Sequence, residues 1–199
     1  MELVKVLEEK ANVRAIAKAN KQITFDTDGA QIEKDVLYFR KSLAGKTGIQ
    51  QLMKPQDVEK DGVRNIDSAR LTGGVAFLVT GILISTANCA AKLASEDEIS
   101  AQEFNVGSEN PTLASFFNNE LSIKVANKEK MKAILRHMTP EQAGDDKTVD
   151  MAHEVSPFII APNQTILPEL NIFNAPCPVD KDIVIEVAFV GYKITENHA

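Results

Sequence analysis

Residues 156–194, SPFIIAPNQTILPELNIFNAPCPVDKDIVIEVAFVGYKI, decide the fold: five prolines in thirty-nine residues, closing on twelve almost unbroken β-formers. Proline lacks an N–H and cannot donate to a β-ladder, so within sheets it is confined to strand ends, edges and bulges. Pro157 and Pro162 therefore bracket a short edge-like strand, FIIA. Pro168 calls for a bulge or an edge in a second strand carrying Ile166, Leu170 and Ile172, and 174–182 reads as a loop. Over 183–194, Ile183, Ile185, Val187 and Phe189 point to one face and Val184, Glu186, Ala188, Val190 and Tyr192 to the other. Both faces are largely apolar. That predicts a central strand covered on both sides, by its own domain or by a neighbouring subunit.

Working back along the chain, GVAFLVTGILISTA (74–87) reads as another strand, with Gly81 marking a bulge or bend. NNELSIKVAN (118–127) reads as a turn and a strand with Leu121, Ile123 and Val125 on one face. NKEKMKAILRHM (127–138) fits helix or strand. AKLASEDEISAQEFN (91–105) reads as an acidic loop with a helical turn, and 139–150 as a polar loop. Short strands joined by irregular loops predict a mainly β domain, an antiparallel β-sandwich, over 66–199. Before it, ELVKVLEEKANVRAIAKA (2–19) predicts a helix with Leu3, Val6, Leu7, Ala11 and Ala15 on its apolar stripe. Ile23 and Phe25 suggest a short strand before the turn DTDG. Ile32, Val36, Phe39 and Leu43 recur at steps of four, three and four, which predicts a second helix over 30–45 stopped by Gly45. A polar linker with a short helix near 49–53 completes a helical N-terminal arm over 1–65.

The net charge of −6 argues against strong direct nucleic-acid binding, which needs concentrated Lys and Arg. With no Trp and only Tyr38 and Tyr192, aromatic platforms for bases or sugars are scarce. Leu71–Ala91 has the length of a membrane span, but three glycines and its hydroxyl and amide side chains favour a strand, and no membrane span is expected.

Chemistry-bearing patterns are few. Asp150, His153 and Glu154 would share one helical turn, but His137 and His198 add no paired ligand, and Asp145, Asp146 and Asp150 read as a solvated loop. Cys89 and Cys177 read as two free thiols in apolar or small-residue settings, and Cys177 has only Lys181 near it to lower its pKa. Gly45-Lys46-Thr47 matches the end of a phosphate-binding loop. Position 40, where its first glycine belongs, is Arg40, and the preceding segment lacks the required strand character. SEDE (95–98) lacks the alternating oxygen ligands of a calcium loop and reads as solvated. No catalytic, cofactor-binding or metal-ligating residue is assigned, and no enzymatic activity is expected.

The order F-L-V-T-G-I-L-I (77–84), N-x-E-L-S-I-K-V (118–125 in the frame NNELSIKV), I-I-A-P-N-Q-T-I (159–166) and V-I-E-V-A-F-V-G-Y-K-I (184–194) resembles the jelly-roll-like β-sandwich structural proteins of bacteriophage virions, with Asn163, Gln164, Thr165, Gly191 and Tyr192 as polar or turn anchors. The resemblance covers roughly the last two-thirds of the chain. It implies a non-enzymatic capsid or tail component that self-assembles as a homo-oligomer with copies of itself and other virion proteins, located in the virion and assembled in host cytoplasm. It implies no cofactor. A β-sandwich binding module on a fibre, an adhesin or glycan-recognition domain, is the alternative, and a hydrolase or metal enzyme built around His153 is a third reading.

Overall fold

A computed structural model describes residues 2–106, 115–138, 152–173 and 179–197. Helix α1 (Glu2–Ala19) is followed by β1 (Gln31–Ser42), β2 (Gly48–Gln51), β3 (Val75–Cys89), the short helix α2 (Glu96–Ser100), β4 (Asn105–Val106), β5 (Glu120–Val125), β6 (Lys128–Ile134), β7 (His153–Ile160), β8 (Ile166–Ile172) and β9 (Asp182–Thr195). The strands form two antiparallel sheets. One runs β1-β9-β3, with β4 and β7 both on the far edge of β3; the other runs β2-β8-β5-β6.

Setting aside the two-residue β4, the pairing is nested. β1 joins β9, β2 joins β8, β3 joins β7 and β5 joins β6, so first meets last and the fourth strand meets the fifth. This is one long hairpin wound on itself, the arrangement of a jelly roll. The protein is thus an antiparallel β-sandwich with a helix at its N-terminus, as the proline pattern and the apolar last strand predict.

β9 is central. It pairs with β1 along the whole of β1 and with β3 along nearly its own full length. Its odd-numbered side chains Ile183, Ile185, Val187 and Phe189 enter the core between the sheets. Of its even-numbered ones, those towards the two ends are covered outside by helices. Tyr192 and Ile194 pack with Val13 and Ala17 of α1, and Val184 packs with Ile99 of α2. Covering helices at the two ends explain why both faces of this strand are apolar.

Several expectations are corrected. The span 30–45 holds strand β1 (Gln31–Ser42), not a helix, and it lies within a sheet rather than in an arm. The helical spacing arises because β1 serves two cores: Ile32 faces α1, whereas Leu37 and Phe39 face the inter-sheet core. Val36, counted in the helical stripe, is 40% exposed. Residues 49–53 likewise hold a strand, β2, instead of a short helix. Residues 127–138 resolve to strand β6 and a 3-10 turn, and SEDE opens α2. Ile23 and Phe25 pack beside the α1 cluster without forming a strand.

Helix α1 also turns a different side inward. Of the expected stripe, Val6 is 41% and Leu7 59% exposed and Ala11 and Ala15 lie in solvent, while Val13 and Ala17 dock one turn apart. Apolar residues occur all round this helix, so periodicity does not select the docked face. The polar partners do: Arg14 donates to Ala30 O at 3.2 Å, and Glu9 meets Tyr192.

Pro168 lies inside the sheet between β2 and β5 with no bulge on the β5 side. Its carbonyl accepts from Leu52 N at 2.9 Å, one residue past the end of β2. Its nitrogen shares that side, so the reciprocal bond to Leu52 O cannot form and the β2 pairing stops there. Pro157 sits within β7 where the β3 register is interrupted between Val79 and Gly81. Gly81 thus marks a bulge, as expected: Thr80 is an extra residue of β3 against β9 as well.

Candidate functional site

Ligands of small jelly rolls and barrels sit between the sheets when space is left there. Here that space is filled. Phe39, Phe77, Phe116, Phe117 and Phe189 are all fully buried, and the Phe39 and Phe189 rings lie 5.9 Å apart, tilted by 58°. Among the described residues, the candidate surfaces therefore lie on the outside.

Among the described residues, the candidates from sequence do not come together. His153 begins β7 and Glu154 follows it on a strand, so the two point to opposite faces instead of sharing a helical turn. His137 is exposed on the 3-10 turn after β6. Asp145, Asp146, Asp150, Cys177 and His198 lie outside the described residues. Among the described residues, no three His, Cys, Asp or Glu side chains converge. Cys89 is a buried free thiol 3.3 Å from Gln102 Oε1; burial first, and the nearby Asp182 charge second, push its pKa up, which makes it a poor nucleophile. Gly45-Lys46-Thr47 is a turn between two strands with Gly45 and Gly48 at positive φ, not a strand-to-helix phosphate loop. Ser95, Asp97 and Glu98 of SEDE are exposed, as expected, and the segment also carries ion pairs: Glu96 pairs with Arg64, and Lys60 Nζ lies 2.8 Å from Asp97. Among the described residues no helix is long and apolar enough to cross a membrane, and most of Leu71–Ala91 is β3.

What the fold does assemble is the outer face of the β1-β9-β3 sheet. Its outward residues fall in rows across the three strands. α1 covers the row Ile32–Ile194–Ala76 and borders Lys34–Tyr192–Leu78. At the far end Val184 and Ala87 lie under α2 and its flanking loops. Between them, Val36–Val190–Gly81 and Tyr38–Ala188–Leu83 form a two-row apolar trough. Val36 is well exposed there, and Tyr38, Leu83 and Val190 are half-buried.

Each bank of the trough is charged. On the α2 side Arg40 Nε donates to Glu186 Oε2 at 2.6 Å, Ser85 Oγ donates to Glu186 Oε1 at 2.8 Å, and the guanidinium lies 4.2 Å from the Phe104 ring centroid. Sequence reading missed this pair because Arg40 was placed on a helix. On the α1 side Tyr192 Oη donates to Glu9, and Lys34 Nζ lies 3.3 Å from the same carboxylate. The Tyr192 hydrogen bond, with help from Lys34, holds Glu9 below its ordinary value of 4.5. A depressed carboxylate stabilises the docked helix above its unfolded pKa and loses that contribution as pH falls through the folded value. Tyr192→Phe should therefore raise the Glu9 midpoint in a side-chain NMR titration and move the acid loss of α1 amide protection to higher pH. An unchanged midpoint would mean the bond does not hold the helix.

Fold and surface together define a jelly-roll β-sandwich with a filled interior and an open, apolar trough on one sheet. The chain matches no family model, no curated protein and no solved structure.

Proposed function

We propose that this chain is a non-enzymatic structural protein of a virion, a capsid or tail component that assembles with copies of itself through its sandwich and N-terminal helix. The observation that carries the reading is the apolar trough of Val36, Tyr38, Leu83 and Val190, left open between two helices that cap the rest of the same sheet. Apolar faces of this kind mark contact surfaces. The jelly-roll winding and the filled interior fit a protein that works by contact rather than turnover, and the resemblance of the last two-thirds of the chain supplies the virion context.

The test is the oligomeric state across a concentration series, by light scattering and electron microscopy. The wild type should form closed oligomers or particles, and Val36→Glu should shift it to monomer with little loss of folded stability, since exposed substitutions typically cost within about 0.5 kcal/mol. A wild type that stays monomeric at high concentration overturns the reading.

A further inference from the structure

A second surface feature, independent of the assembly reading, lies at the β2 edge. There a cleft of about 460 Å³ opens between the end of β1, the β1–β2 turn and the loop after β2. Lys41 lines it from β1, Lys46 from the turn and Lys54 from the loop, with the amides of Gln50 and Gln51 beside them. We propose that this cleft binds an oligophosphate group, with Lys41, Lys46 and Lys54 as its ligands.

The argument is one of unmatched charge. The chain carries a net charge of −6, yet three ammonium groups share this opening. Among the described residues, neither Lys46 nor Lys54 has a carboxylate within 4.0 Å of its ammonium. Lys41 reaches only Asp57, at 4.0 Å, and that Asp57 oxygen already accepts from Lys54 N at 2.9 Å. The acid lining the cleft, Glu169, is held at 2.5 Å by Lys124. Three ammonium groups facing only the loosely engaged Asp57 and the Lys124-paired Glu169 repel one another, and a multiply charged anion relieves that repulsion while accepting charge-assisted hydrogen bonds. Lysines are flexible point-charge donors, which suits phosphate oxygens better than a single planar carboxylate. Gln50 Nε2 is turned to Thr47 O at 2.5 Å, which fixes the turn carrying Lys46. The turn that failed as a nucleotide loop thus contributes through its lysine rather than its backbone.

The same chemistry is offered by a free oligophosphate and by a phosphodiester chain, and the experiment separates them. Backbone amide NMR of the full chain is followed on adding sodium tripolyphosphate in one arm and a short oligothymidylate in the other, with sodium chloride at matched ionic strength as control. Saturable shifts confined to residues near Lys41–Lys54 are expected in at least one arm, and that arm names the source. Lys46→Gln/Lys54→Gln should weaken binding roughly tenfold or more, the effect of losing one or two charged hydrogen bonds. It should leave the ligand-free Tm unchanged or higher, because it removes repulsion. Lys128→Gln/Lys130→Gln, on exposed strand β6, removes the same charge and should bind as wild type. Shifts that never saturate, match the chloride control or weaken equally in both double variants overturn the proposal.

Discussion

Gly191→Ala should be close to unfolding, with its melting transition lowered by on the order of 10 °C or lost altogether. An ideally placed Cβ at 191 lies 1.9 Å from Leu78 O and 3.0 Å from Leu78 C, both backbone atoms of the neighbouring strand. A flexible side chain in the way could rotate aside, but a carbonyl built into the β3–β9 ladder cannot move without breaking it. The approach is close because Thr80 is an extra residue of β3 against β9, which turns the β3 backbone towards Gly191. Opening the central strand pair of the molecule should cost about 4 kcal/mol or more, a large share of the roughly 5–15 kcal/mol that holds a domain together. At about 2–4 °C per kcal/mol for a chain of this length, the expected shift follows. Gly73→Ala is the control: that position has open space around it and no positive φ, so the change should be neutral or slightly stabilising. Equal melting temperatures for the two variants would mean that β3 and β9 can part at Gly191 without loss.

Gly191 also shows how much of the fold is legible in the sequence. The alternation around it identifies β9 as a strand covered on both faces, and Gly81 identifies the bulge in β3, because period-2 burial and glycine tolerance are local properties of the chain. The close approach of Gly191 to Leu78 is not local, and nothing near residue 191 announces it. β1 fails for a related reason. Its apolar residues belong to two different cores on opposite faces, so their combined spacing imitates a helix. α1 exposes the opposite weakness. Its helical state is legible, but its docked side depends on Glu9, Arg14 and the shape of a sheet made by residues far along the chain.

The candidate surfaces follow the same rule. The trough draws residues from β1, β3 and β9, and the lysine cleft from β1, the turn and the loop beyond β2. Lys46 is conspicuous in the sequence only because it completes a fragment of a familiar motif. Its neighbours in space, Lys41 and Lys54, are separated from it by a strand end and by β2. Only the winding of the hairpin brings them to one opening.

Asp182→Ala should destabilise the protein by about 3 kcal/mol, through loss of the hydrogen bonds that a buried carboxylate accepts from neutral donors. Asp182 is fully buried at the start of β9, and it ties three segments together. Ser42 Oγ donates to Oδ2 at 2.5 Å, Leu43 N and Ala44 N donate to Oδ1 at 3.1 Å, and Leu93 N approaches Oδ2 at 3.4 Å. One carboxylate thereby fixes the exit of β1 and the loop after β3 to the strand between them. Alanine removes the acceptor of all four donors, of which the Leu43 amide is buried and the other three are part-buried, and a hydrogen bond to a charged group contributes about 1.5–3 kcal/mol. Leu43 N keeps a second acceptor in Ile183 O at 3.0 Å, which limits the loss there and holds the estimate below the sum of the parts. Asp182→Asn keeps one oxygen for the Leu43 and Ala44 amides, and the Ser42 hydroxyl can turn to accept from the new amide. It should therefore be milder than alanine, with Leu93 left as the unmatched donor. Chemical denaturation of the three proteins measures the order directly. Hydrogen exchange adds the location: in both variants the amides of Leu43, Ala44 and Leu93 should lose protection before those of β5 and β8 in the other sheet. If Asp182→Ala unfolds at the wild-type midpoint, the carboxylate is not what closes this end of the sandwich.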